Sequence, residues 1–71
     1  MATAKVHAHW YVQDGLIEIW LVGKYLYYYS WEDLPNFKLG QVVSKEEIGH
    51  PIKWLPWNPK YIPIQAYRAL N

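Results

Sequence analysis

Two short turn sequences in the first half of the chain constrain its fold more than any other feature. Asp14-Gly15 lies between two apolar and aromatic runs, and Asp-Gly is among the sequences most typical of a two-residue type I′ hairpin turn. If these residues form the loop, Val12 lies opposite Ile17. Side chains alternate between the two faces of a strand, so this register predicts one wholly apolar face. Its members are Val6, Ala8, Trp10, Val12, Ile17, Ile19 and Leu21.

A second turn at Gly23-Lys24 extends the hairpin into a three-stranded antiparallel meander. Glycine at the first central position is typical of a type II′ turn, and this turn places Leu26 opposite Leu21. The third strand is predicted over residues 25–31, where it continues the apolar face.

The other face of this meander is aromatic, whereas a sheet with one face in water normally carries polar residues there. Two alternatives are open for it. Either the second half of the chain folds over this face and buries it, or the face stays open for a partner or a second copy. The members of this face are His7, His9, Tyr11, Gln13, Glu18, Trp20, Val22, Tyr25, Tyr27 and Tyr29.

The middle of the chain predicts only short elements. A short strand is expected over residues 39–43, and Ser44 with Glu47 fits a capping box at the start of a helix. Gly49 and Pro51 then end that helix after one or two turns.

Four prolines between residues 51 and 63 make the last part of the chain extended or turn-like. Proline lacks an N–H and has a fixed φ, so this segment is not expected to form a central strand. An edge strand is predicted over residues 62–67. Trp54 and Trp57 are expected to lie across the aromatic face and complete its core.

Length and composition indicate one small domain. The chain has 71 residues, 52% of them hydrophobic, a formal charge of +1 and no cysteine. These values exclude a disordered chain, a disulfide-linked scaffold and a protein that binds duplex DNA mainly by neutralising phosphates. No membrane span or secretion leader is visible, so a cytoplasmic protein is expected.

We therefore predict a single small all-β domain over residues 1–71. Its antiparallel meander is expected to close into an SH3-like or half-barrel roll of about five strands. Domains of this size often need a partner chain for stability, so a protein partner or a homo-oligomer is expected.

The aromatic face is the favoured binding surface, because Trp and Tyr are enriched at the residues that dominate interface energy. The predicted function is a non-catalytic protein–protein interaction module that self-associates or docks on a larger partner. The predicted contact residues are His9, Tyr11, Trp20, Tyr25, Tyr27 and Tyr29.

Nucleic-acid binding is the alternative function. After Ile48 the chain has three Lys and Arg side chains and no acidic ones, and aromatic residues lie between them. Proteins that bind single strands combine cationic grooves with aromatic stacking surfaces. The residues of this alternative are Lys53, Trp54, Trp57, Lys60 and Arg68. Neither a membrane nor a carbohydrate is an expected partner, the latter because no secretion signal is visible.

Catalysis and metal binding have little support in the sequence. There is no cysteine and no glycine-rich phosphate loop. Glu18, in the middle of the sheet, is expected to accept hydrogen bonds from neighbouring tyrosine hydroxyls. His7, His9 and His50 are the candidate metal ligands, but their spacing does not bring His50 to the other two. No enzymatic activity, cofactor or metal is predicted.

Overall fold

Six antiparallel strands form one sheet in the computed structural model, which describes residues 3–68. The strands are β1 (Thr3–Val12), β2 (Ile17–Val22), β3 (Tyr25–Ser30), β4 (Val42–Ser44), β5 (Lys53–Pro56) and β6 (Tyr67–Arg68). Helix α1 (Lys45–Ile48) follows β4, and 3₁₀ turns cover Trp31–Asp33 and Pro59–Tyr61. The strand order is β4-β1-β2-β3-β5, and β6 also pairs with β1. This small β roll confirms the predicted all-β class, with one strand more than predicted.

The predicted registers of both hairpins are confirmed. Val12 lies opposite Ile17 in the first hairpin, and Leu21 lies opposite Leu26 in the second. Gly23 has a φ of 61°, the left-handed conformation that a type II′ turn requires at its first central residue. Turn chemistry and the alternation of apolar residues therefore select the same pairing.

The first turn differs from the predicted type I′. Positive φ angles fall on Gly15 (92°) and Leu16 (53°), not on Asp14 and Gly15. The Leu16 N–H donates to the Gln13 carbonyl at 3.3 Å, so the turn still closes around Asp14 and Gly15 as predicted, and only its dihedral angles differ. The strand register is unaffected, because Val12 still lies opposite Ile17.

A β-bulge between Val6 and Ala8 interrupts the alternation of β1. Val6 lies opposite Val22 and packs with Trp20, Tyr29 and Phe37 in a cluster that we call the aromatic core, while His7 is exposed. The predicted positions of Val6 on the apolar face and His7 on the aromatic face are therefore wrong. A bulge bends and twists its strand, and this one leads into the segment of β1 that pairs with β4.

Both faces of the sheet are covered, each by a different segment of the second half of the chain. The aromatic face packs against residues from 37–48, and this cluster contains Val6, Trp20, Val22, Tyr29, Phe37 and Val43. The apolar face packs against Leu55 and Ile62, and its buried residues are Ala8, Ile19, Leu21, Leu26 and Tyr28. Of the two alternatives for the aromatic face, burial is therefore the one that the structure shows for its central residues, His9, Trp20, Val22 and Tyr29.

The expected position of Trp54 and Trp57 across the aromatic core is wrong. Phe37, in the loop before β4, fills that place and packs against Trp20 and Tyr29. Trp54 lies on the edge strand β5, as the neighbouring prolines require, and is largely exposed. The edge strand predicted over residues 62–67 is reduced to Tyr67–Arg68, because a 3₁₀ turn and Pro63 precede it.

The predicted capping box is confirmed at the start of α1. The Ser44 N–H donates to Glu47 Oε1 at 3.3 Å, and the Ser44 hydroxyl contacts the same oxygen at 3.2 Å. The helix ends at Gly49, which has a φ of 70°. The Tyr29 hydroxyl donates to the Ile48 carbonyl at 2.5 Å and so attaches this helix to the sheet.

We predict that Phe37→Ala lowers the free energy of unfolding by about 3–5 kcal/mol. The Phe37 ring meets Trp20 edge to face at 5.4 Å and Tyr29 at 6.2 Å, so its removal leaves a cavity in the aromatic core. Urea unfolding followed by tryptophan fluorescence measures the loss. Leu34→Ala, an exposed position on the same segment, is the control and should change stability by less than about 0.5 kcal/mol. Equal losses in the two variants would contradict this account of the core.

Candidate functional site

The structure divides the six residues predicted to contact a partner into a buried and an accessible group. His9, Trp20 and Tyr29 are buried, and Trp20 and Tyr29 are only 3% and 1% exposed. The expectation that these three are available to a partner is corrected, because residues 37–48 cover Trp20 and Tyr29, and His9 stacks against Trp20. The accessible members of the predicted set are Tyr11, Tyr25 and Tyr27.

The accessible part of the aromatic face forms a groove beside α1. Trp54 of β5 lies opposite Tyr27 of β3, and its ring meets Tyr25 edge to face with 5.3 Å between centroids. Tyr25 is 41% exposed and Trp54 is 58% exposed. We call this hollow of about 510 Å³ the aromatic groove, and its lining residues are Tyr25, Tyr27, Lys45, Ile48, Gly49, Pro51 and Trp54.

A second hollow of about 470 Å³ adjoins the aromatic groove and shares Tyr25, Tyr27, Lys45 and Ile48 with it. We call it the adjoining hollow. Its other lining residues are Thr3, Ala4, Val22, Gly23, Lys24, Val43 and Ser44. Among the described residues, the charged side chains that line the two hollows are lysines.

Local sequence explains why this end of the face stays open. Helix α1 is held over the Tyr29 end of β3 by the hydrogen bond to the Ile48 carbonyl. Gly49 ends the helix there, and the chain then returns to the sheet edge as β5. The Tyr25 end of β3 is therefore not covered by the segment that buries Tyr29.

The tyrosines of the groove can be predicted from the sequence, but the wall that α1 and the loop after it form cannot. Lys45, Ile48 and Pro51 come to the groove only because α1 folds back over β3. The capping box correctly predicts that Lys45 starts a helix. No feature of the sequence indicates which face of the sheet that helix covers.

Burial raises the pKa of three consecutive tyrosines on β3. For Tyr27 and Tyr28 the main cause is desolvation, and the nearby phenols of Tyr25 and Tyr61 add to it. For Tyr29 desolvation raises the pKa strongly, with a smaller contribution from Tyr27. These phenols therefore stay neutral at physiological pH and can donate hydrogen bonds.

Glu18 does not accept hydrogen bonds from the tyrosine hydroxyls, contrary to the prediction. His9 Nε2 lies 2.5 Å from Glu18 Oε1, and since a carboxylate only accepts, His9 donates. The Tyr29 hydroxyl instead donates to a carbonyl of α1, and Tyr11 stacks on Tyr67 at 5.4 Å. Glu18 is therefore paired with His9 of the neighbouring strand.

The buried part of the aromatic face is held together mainly by ring packing. His9 stacks on Trp20 with 3.6 Å between ring centroids and 9° between planes. Among the described residues, neither His9 Nδ1 nor Trp20 Nε1 has a hydrogen-bond partner. Such unpartnered buried groups each cost about 1–3 kcal/mol, which the packing of the rings has to offset.

The three histidines considered as metal ligands lie apart. His7 is exposed on the bulge, His9 is buried against Glu18, and His50 lies exposed in the loop after α1. Within residues 3–68 no group of three or more His, Cys, Asp or Glu side chains is arranged to hold a metal ion.

The tryptophans of the nucleic-acid alternative lie on opposite sides of the sheet. Trp54 lines the aromatic groove. Trp57 stacks on Trp10 on the apolar side, with 5.9 Å between ring centroids. The two rings therefore cannot form one continuous stacking surface.

The basic residues of that alternative lie mainly on the apolar side. Lys53 Nζ is 4.7 Å from the centre of the Tyr28 ring, and the Arg68 guanidinium is 5.8 Å from the centre of the Trp10 ring. Lys60 is exposed in the 3₁₀ turn Pro59–Tyr61. This side of the sheet therefore combines cationic and aromatic groups.

Fold and site together define a small all-β protein with an aromatic groove at the open end of one sheet face. Comparison with known protein families, curated proteins and solved structures finds no match. No helix within the described residues is long and apolar enough to cross a membrane. The function is therefore inferred from the groove itself.

We predict that the free energy of unfolding decreases as pH rises above about 10. Tyrosines of the unfolded chain ionise in this range, whereas Tyr27, Tyr28 and Tyr29 keep their protons to higher pH in the fold. The unfolded state then binds fewer protons, so stability that is fully present below pH 10 is lost above it. Urea unfolding at about pH 8 and 11 measures the change.

Tyr29→Phe tests the assignment of this pH dependence. It removes one of the phenols with a raised pKa, so the decrease in stability between the two pH values should become smaller. The variant is expected to be less stable at both pH values, because the hydrogen bond to Ile48 is lost. An unchanged pH dependence would contradict the assignment.

Proposed function

We propose that this chain is a non-catalytic protein–protein interaction module and that the aromatic groove is its contact surface. The observation that carries the proposal is the pair of Tyr25 and Trp54, which meet edge to face and are both exposed beside the covered centre of the aromatic face. Exposed aromatic clusters usually mark interaction sites, and Trp and Tyr are enriched among hot-spot residues.

The groove is built on ordered elements, which favours binding. Tyr25 and Tyr27 lie on β3, which is paired on both sides, and Ile48 is attached to the sheet through Tyr29. A contact surface that is already ordered loses less conformational entropy when a partner binds.

The proposed partner is a larger protein or a second copy of the chain. Catalysis is not proposed, since the groove is lined by aromatic, aliphatic and lysine side chains. A cytoplasmic location remains part of the proposal and can be tested by cell fractionation.

We predict that binders selected from a random peptide display library lose affinity at least about tenfold on Trp54→Ala. The Trp54 indole lines the groove and is 58% exposed, so a bound peptide can contact it. Trp57→Ala is the matched control, because Trp57 is also an exposed tryptophan but lies on the apolar side of the sheet, where it stacks on Trp10. Unfolding midpoints of both variants show whether they remain folded.

Light scattering over a range of protein concentrations distinguishes the two kinds of partner. A dimer that dissociates in Trp54→Ala would show that a second copy occupies the groove. A chain that stays monomeric and selects no binders would overturn the proposal. Binders that tolerate Trp54→Ala would overturn it as well.

Nucleic-acid binding is the second candidate, favoured by the cationic groups over aromatic rings on the apolar side. It predicts that an oligothymidylate quenches tryptophan fluorescence, with an affinity that falls steeply as salt rises. Arg68→Ala should weaken this binding, whereas Lys45→Ala in the aromatic groove should not. Absent or salt-independent binding would eliminate the candidate.

A further inference from the structure

The two hollows on the aromatic face lie side by side and share a wall formed by Tyr25, Tyr27, Lys45 and Ile48. They are similar in size, about 510 and 470 Å³. A ligand that fills both must be elongated and must place successive side chains in neighbouring hollows. An extended peptide has this shape.

We infer that the aromatic groove and the adjoining hollow bind an extended, proline-containing peptide whose flanking carboxylate pairs with Lys45 and Lys24. This inference rests on the proposed function and specifies its partner.

Strand addition at the neighbouring edge is the competing way to bind an extended peptide. The edge strand β5 is short, and Pro56 occupies the ladder position opposite Tyr25. Pro51 lies just before the strand. Proline has no N–H to donate, so this edge is a poor template for a further strand. The ligand is therefore held by contacts with side chains of the groove.

The aromatic rings explain the preference for proline. Tyr25 and Trp54 meet at 88°, so they present ring surfaces in two directions to a ligand in the groove. Aromatic-lined grooves bind polyproline II segments well, because proline is already ordered and has a flat apolar ring.

The charges around the hollows explain the preference for a carboxylate. Lys24 lines the adjoining hollow and Lys45 lines both. A separate hollow, which shares Ile48 and Gly49 with the aromatic groove, is lined by three carboxylates and one histidine: Glu32, Asp33, Glu47 and His50. A carboxylate is attracted to the lysine end and repelled from the acidic end, so these charges select the direction of the bound peptide.

The test uses three synthetic peptides. The first alternates proline and leucine and ends in two aspartates. In the second, alanine replaces proline, and in the third, lysine replaces aspartate. Titrations of the whole chain, followed by backbone amide chemical shifts, should show binding of the first peptide at least about tenfold tighter than of either other peptide.

Two pairs of variants locate the contacts. Trp54→Ala should weaken binding of the first peptide at least about tenfold, and Trp57→Ala should leave this binding unchanged. Lys45→Glu should weaken binding of the first peptide about fivefold or more at low salt, with a smaller effect near 1 M salt. Lys38→Glu is the matched charge reversal, because Lys38 is exposed and lies outside both hollows.

Each result decides the inference. Equal binding of the alanine or the lysine peptide would overturn it. If none of the three peptides binds while library-selected binders still depend on Trp54, the inference fails and the proposed function stands. If selected binders keep their affinity for Trp54→Ala, both the inference and the proposed function fail. A dimer that dissociates in Trp54→Ala would make a second copy the occupant and would also overturn the inference.

Discussion

The packing of Phe37 against Trp20 and Tyr29 is the contact on which the rest of this structure depends. Both faces of this sheet are apolar and must be covered by other parts of the chain. A chain of 71 residues has few residues outside the sheet for this purpose. One segment around Phe37, β4 and α1 buries the centre of the aromatic face. A second segment around Leu55 and Ile62 packs on the apolar face. The sheet therefore lies between two small hydrophobic clusters, one on each of its faces.

This division of the chain also determines which surface remains for function. The covering segment reaches as far as Ile48, which Tyr29 holds through a hydrogen bond. Beyond it the tyrosines at the start of β3 and Trp54 of β5 stay accessible, with Lys45 beside them. The groove is therefore a consequence of incomplete coverage. The aromatic side chains of the groove contact their neighbours on adjacent strands and so stabilise the sheet. Their exposed surfaces can also contact a ligand.

Sequence reasoning predicts the local parts of this fold and misses those that depend on distant contacts. Turn residues and alternation agree in the two hairpins, so their registers follow from the sequence. The bulge at His7 has no local signal in the sequence, and it lies next to the segment of β1 that pairs with β4. Likewise, Phe37 and Trp54 are both large aromatic residues near a proline. Only the path of the chain decides that one is buried and the other is exposed.

Hydrogen exchange of the five tryptophan indole N–H groups tests the central claim most directly, because each gives a separate NMR signal. The structure predicts slow exchange for Trp20, which is buried under residues 37–48, and fast exchange for the exposed Trp54 and Trp57. Exchange of Trp20 as fast as that of Trp54 would show that the aromatic face is open. It would contradict both the covered core and the restriction of binding to the aromatic groove.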